Sequence, residues 1–107
     1  MKYKSDSVIN NLYQVKENIK ITDPAVIPII FHEKKSLIMQ LLIKKEMTII
    51  DLKKATKMNP GTIKRHLNDL LKYNLVFVSR TEKNEFSIKM KYYRASAKTF
   101  NFEIVWP

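Results

Sequence analysis

"TIIDLKKATKMNPGTIKRHLNDLLKYNLV", residues 48–76, holds the only glycine of a 107-residue chain. Thr48 precedes an apolar run with Asp51 three residues on, a variant capping box that opens a short helix. Ile49, Leu52 and Ala55, with Ile50 beside them, are expected to form its buried side. "KMN" (57–59) is then a tight turn. Asn59 caps a second helix, and Pro60 takes its first position, where the missing N–H costs nothing. Ile63, Leu67, Leu70 and Leu71 make that helix's apolar face, which ends near Tyr73 and Asn74. Gly61, Thr62, Lys64, Arg65 and Asn68 lie off the face and are free to meet a partner.

Upstream, "HEKKSLIMQLLIKK" (32–45) sets Leu37, Ile38, Leu41 and Leu42 on one side and four lysines away from it, which is an amphipathic helix. "ITDPAVIPIIF" (21–31) starts at Asp23-Pro24 and is disturbed by Pro28, so a short helix or irregular turn is expected. In residues 5–20, Val8, Leu12, Val15 and Ile19 share one helical face, and a first helix is expected there. Downstream the period changes to two. "LVFVSR" (75–80) and "EFSIKMKYY" (85–93) are β-rich runs, the second with Phe86, Ile88 and Met90 alternating against polar neighbours. "TEKN" (81–84) is the expected hairpin loop, with Asn84 at a positive φ. In the tail, Phe100, Phe102, Ile104 and Trp106 alternate as in a strand and want a cover.

Helix, helix, tight turn, helix and two-stranded hairpin is the order of a winged helix. Residues 31–94 resemble the ArsR-type and related winged-helix transcription regulators of prokaryotes. The resemblance rests on the threonine-capped helix, the polar cap, "TIKRHL" (62–67) and "LLKYNLV" (70–76). It covers about 60% of the chain and implies a mainly α fold with a small β hairpin. It also implies binding to double-stranded DNA with the second helix (about 60–73) in the major groove and the hairpin (about 75–93) as the wing. Turns of that family often carry glycine where this chain has Lys57, which would then adopt a left-handed conformation at about 1 kcal/mol. Metal sensing in the family commonly uses cysteines in the first helix of the motif. Ile49, Ile50, Asp51 and Leu52 stand there, so no metal or other cofactor is expected.

The motif's physics assigns the candidate contacts. Arg65 can hold a guanine edge and Asn68 an adenine edge, each contributing roughly 1–3 kcal/mol of discrimination. Lys64 belongs with them in the groove, and Thr62 and the free N–H groups near Gly61 can take phosphate, helped by the helix dipole. Gly61 lets phosphate approach with no side chain in the way. Thr48 and Asn59, the two caps, complete the helical set. On the hairpin, Arg80, Lys83 and Lys89 are the candidate backbone or minor-groove contacts. Arg80 and Lys83 are expected to face inward, with Glu82 and Glu85 turned out.

Composition agrees. The net charge is +10, and it is uneven: +3 in residues 1–47, +8 in 48–98 and −1 in 99–107. A basic half favours a polyanion: DNA, RNA or an anionic membrane surface. The longest apolar run, "AVIPIIF" (25–31), is too short to span a bilayer. The first residues lack a secretory pattern, and a cytoplasmic protein is expected. No cysteine is present, which removes disulfides, thiolate metal sites and a cysteine nucleophile. His32 and His66 are the only histidines. With no glycine-rich phosphate loop and no nucleophile beside a base, no catalytic residue is expected.

Three segments follow: residues 1–22 as an N-terminal helix for dimerisation, 23–98 as the winged helix-turn-helix, and 99–107 as a strand or tail at a dimer contact. Palindromic half-sites require two such domains, so a homodimer is expected. Two other readings stay open. One is a winged helix that docks a protein in a transcription or replication assembly. The other is single-strand binding by the aromatics Tyr92, Tyr93, Phe100, Phe102 and Trp106, although their spacing fits a buried strand face or an interface better.

Overall fold

Side-chain caps place the helix starts. In the computed structural model, which describes residues 15–105, the Asp23 carboxylate accepts the Ala25 N–H at 2.9 Å and opens a 3-10 turn over Pro24–Val26. The chain runs on as a single-turn helix, α1 (Ile27–Ile30), with Pro28 in its first turn, where a proline is tolerated. Helix α2 (Glu33–Lys44) begins at His32, whose Nδ1 accepts the Lys35 N–H. Helix α3 (Ile49–Thr56) has the full capping box. Thr48 Oγ1 accepts the Asp51 N–H at 3.1 Å, and Asp51 Oδ2 accepts the Thr48 N–H at 3.0 Å. Helix α4 (Pro60–Lys72) opens on Asn59 with Pro60 in its first turn. Lys57 closes α3 at φ 65°, the left-handed conformation expected of it, and its N–H reaches the Lys53 carbonyl at 2.8 Å.

Strands β2 (Val76–Lys83) and β3 (Lys89–Ala95) pair antiparallel. The hairpin's base is tied to the segment before α3. Met47 and Tyr93 exchange both backbone hydrogen bonds, at 2.9 and 2.8 Å. Under the hairpin and between the helices lies one core. Ile38 and Leu42 of α2, Leu52 of α3, and Ile63, Leu67 and Leu70 of α4 close on Leu75, Val76 and Tyr93. Each such apolar side chain contributes roughly 1.5–3 kcal/mol on burial. The mainly α winged helix with a small β hairpin is the fold observed.

Four expectations are corrected. Of the helix read over 5–20, residues 16–21 are instead a strand, β1 (Lys16–Ile21), parallel to β4 (Ala97–Phe102). Ile19 sits opposite Phe100, and both pack against the core, so non-local pairing overrides a helix-like spacing. Val8 and Leu12 lie outside the described residues, as does Trp106. The hairpin loop is 84–88 rather than 81–84, and the positive φ belongs to Ser87 (61°). Asn84 works through its side chain instead, whose Oδ1 accepts the Phe86 and Ile88 N–H groups. Phe86 and Ile88 thereby leave the strand pattern and stand exposed. In α3 only Leu52 is buried. Ile49 is half-buried, while Ile50 and Ala55 face solvent because an eight-residue helix offers the core one narrow stripe. In α2 that stripe is Ile38, Met39 and Leu42, and Leu37 turns outward.

Candidate nucleic-acid interface

The outer side of α4 forms a continuous polar stripe. Gly61, Lys64, Arg65 and Asn68 are exposed, spaced i, i+3, i+4 and i+7, with Thr62 half-buried at the edge. Ile63, Leu67 and Leu70 hold the opposite side in the core. Nothing in the described residues covers the Arg65 guanidinium, and it forms no ion pair among them. Lys64 leans toward the hairpin, its Nζ 3.4 Å from the Tyr93 hydroxyl. Asn59 Oδ1 accepts the Gly61 N–H at 2.7 Å, and a Cβ at residue 61 would lie 3.1 Å from that same oxygen. Gly61 thus serves its own cap as well as leaving the helix start bare. Thr48 is only 4% exposed, with its hydroxyl committed to Asp51, so its part is to hold α3 in place.

His66 stands between Arg65 and Leu67 yet is buried, its ring tilted 51° against that of His32 with ring centres 5.0 Å apart. Burial pushes its pKa below the ordinary 6.5, and the charges of Lys35, His32 and Arg65 push the same way, against Asp69. The neutral ring is therefore the folded form. Lys35 of α2 meets Asp69 of α4 at 3.3 Å beside it. Among the described residues no group of three His, Cys, Asp or Glu side chains is placed to hold a metal.

The hairpin departs from the expected charge arrangement. Arg80 does not turn toward a ligand. Its Nε meets Glu46 Oε2 and its Nη1 meets Glu82 Oε2, each at 2.6 Å, and its guanidinium lies 3.7 Å over the Tyr92 ring. A register shift between Val78 and Arg80 turns this part of β2 toward Glu46. Ser79 donates to the Glu46 carboxylate at 2.6 Å and Tyr92 donates to Glu82 at 2.9 Å. Burial alone would raise the Glu46 pKa. The Ser79 and Arg80 hydrogen bonds, with the charges of Arg80 and Arg94, outweigh it and leave the carboxyl below its ordinary value. The Tyr92 and Arg80 hydrogen bonds lower Glu82 likewise. Arg80 is thus the centre of a brace that joins the hairpin to the α2–α3 connection. Lys83, Lys89 and Lys91 remain exposed and form no ion pair among the described residues.

Sequence reasoning found the α4 stripe but missed three things: the Glu46 brace, Lys91, and the exposed apolar tip at Phe86 and Ile88. Only the last left a local signal, an asparagine followed by a polar-apolar run. Glu46 and Arg80 lie 34 residues apart, and nothing local couples them.

Residues 32–77 match the family model for the bacterial regulatory protein, arsR family. No curated protein matches the chain. The matched segment runs from the α2 cap into β2, which covers the helix-turn-helix and leaves most of the hairpin to be read from its geometry. The segment is thus similar to the helix-turn-helix of a family of DNA-binding transcription regulators, and the match takes in less than half of the chain. No helix among the described residues is long and apolar enough to cross a membrane.

Proposed function

We propose that this ArsR-type regulator reads double-stranded DNA by laying α4 in the major groove, with the β2–β3 hairpin as its wing. The observation that carries the reading is the α4 stripe: exposed and cationic among the described residues, on a helix whose other side is locked into the core. A helix so held has little backbone freedom left to lose on binding. Arg65 offers two parallel donors to a guanine edge and Asn68 a donor and an acceptor to adenine. Lys64, Thr62 and the helix start at Asn59 and Gly61 take phosphate. Lys83 and Lys89 serve the backbone beside the wing, while Arg80 positions the wing through Glu46 instead of touching DNA. Two copies on a palindromic site are part of the reading, since one domain covers one half-site.

A gel-shift titrated with salt on mixed-sequence duplex tests it, with Arg65→Ala beside the wild type. The expected variant keeps salt-dependent affinity but loses sequence preference, with a cost of about 1–3 kcal/mol at the preferred site. Wild-type binding that is absent, or that ignores salt, would favour the protein-docking reading instead.

A further inference from the structure

The wing ends in an apolar tip, which is unusual for a surface meant to meet a polyanion. Phe86 is 74% exposed and Ile88 59%. This tip is built to hold its shape. Asn84 Oδ1 accepts the Phe86 N–H at 2.8 Å and the Ile88 N–H at 3.0 Å. The Asn84 N–H reaches the Ile88 carbonyl and the Ser87 N–H reaches the Asn84 carbonyl, both at 2.9 Å. Ser87 takes the left-handed φ of 61° that closes the turn. An exposed phenylalanine on a pinned turn is a presented side chain, and Ile88 beside it is exposed as well.

The surroundings indicate the occupant. Behind the tip, Ile88 and Met90 face Ile49 and Ile50 of α3 across a groove of about 430 Å³, rimmed by Lys64, Lys89 and Lys91. Lys64 of the α4 stripe and Ile88 beside the tip thus line the same groove. Three exposed lysines on the hairpin, with Glu82 already bound by Arg80 and Tyr92, leave Glu85 as the one uncommitted acid nearby. That charge suits nucleic acid. An eight-residue strand extends about 25 Å, enough to carry the tip past the edge of a major groove roughly 12 Å wide into its neighbour.

We propose that the wing tip is an apolar wedge: Phe86, backed by Ile88, enters the minor groove next to the α4 site and partly unstacks one base step, bending the duplex. The proposal rests on the DNA-binding reading above. Apolar side chains inserted in this way open the stack and kink the duplex toward the major groove, and the cost is offset by the extra surface the bent DNA wraps. Pyrimidine–purine steps such as TA yield most easily, so the wedge adds a preference that needs no hydrogen bond to a base.

The test is energy transfer between dyes on the two ends of a duplex of about 30 base pairs carrying spaced TA steps. Wild-type protein raises the transfer as it saturates the duplex. Phe86→Ala binds about tenfold more weakly, as expected for losing a buried phenylalanine contact, and at saturation leaves transfer near that of free duplex. Lys83→Ala weakens binding but keeps the bend. Because Phe86 is exposed, the substitution leaves the fold intact, checked by an unchanged circular dichroism spectrum. If Phe86→Ala bends the duplex as wild type does, or wild type binds without bending, the wedge is wrong and the α4 reading stands. If wild type does not bind duplex at all, both fall. If Phe86→Ala instead abolishes self-association of free protein in sedimentation, the tip is a contact between copies and the wedge is overturned.

Discussion

Helix α4 and the β2–β3 hairpin both present cations to solvent, yet they come to do so in different ways. On α4 the charges follow from local spacing. The cap at Asn59, the proline at its first position and the apolar residues 63, 67 and 70 leave Lys64 and Arg65 outside whatever the rest of the chain does. On the hairpin, long-range partners decide. Glu46 claims Arg80, Asn84 reshapes the loop, and Lys83, Lys89 and Lys91 are left exposed with no ion pair among the described residues. A charge on a helix surface is thus better evidence for an interface than the same charge on a hairpin, where a cross-strand or remote partner can take it.

The largest expected effect tests whether the two regions share one support. Leu67→Ala removes a fully buried side chain beneath α4 and is expected to cost about 2–5 kcal/mol in urea unfolding. Hairpin and helices should unfold together, because Tyr93 of β3 packs in the same core. A hairpin that survives loss of the helices would break the comparison. Next in size is Lys57→Gly, which relieves a non-glycine left-handed residue and should stabilise by up to about 1 kcal/mol. It acts on the turn between α3 and α4 and should leave hairpin amide exchange unchanged.

The smallest effects separate the regions by pH. The His66 pKa is lowered, so the neutral ring's contribution is present above the ordinary 6.5 and is lost as pH falls through the folded value. Helix-side stability should therefore decline below about pH 6.5, and His66→Gln should flatten that decline. Glu46 and Glu82 are also lowered, from 4.5. Their contribution is present above that value and lost only in stronger acid. Amide protection near Arg80 and Tyr92, relative to the unstructured rate at each pH, should hold through the histidine window and fall below about pH 4.5, with Glu46→Gln removing that step. Both regions loosening in one window would erase the distinction.

The same division governs what the sequence disclosed. Thr48, Asp51, Asn59 and Pro60 announced two helix starts because a cap is a contact within three residues. Lys57 could be assigned a left-handed turn because turns of the resembling family often carry glycine there. The N-terminal strand could not be read, since Ile19 and Ile21 acquire their meaning from Phe100 and Phe102, about eighty residues on. The pairing of Arg80 with Glu46 could not be read for the same reason. Among the candidate contacts, those on α4 remained exposed, while Thr48 and Arg80 proved to be engaged in holding structure.

Methylation protection on bound duplex tests the central claim most directly, because dimethyl sulfate marks guanine N7 in the major groove and adenine N3 in the minor groove. With α4 seated as proposed, guanines at the bound site are shielded at N7, and Arg65→Ala uncovers at least one of them. Bound duplex in which every guanine N7 stays as reactive as in free DNA would contradict major-groove recognition by this helix.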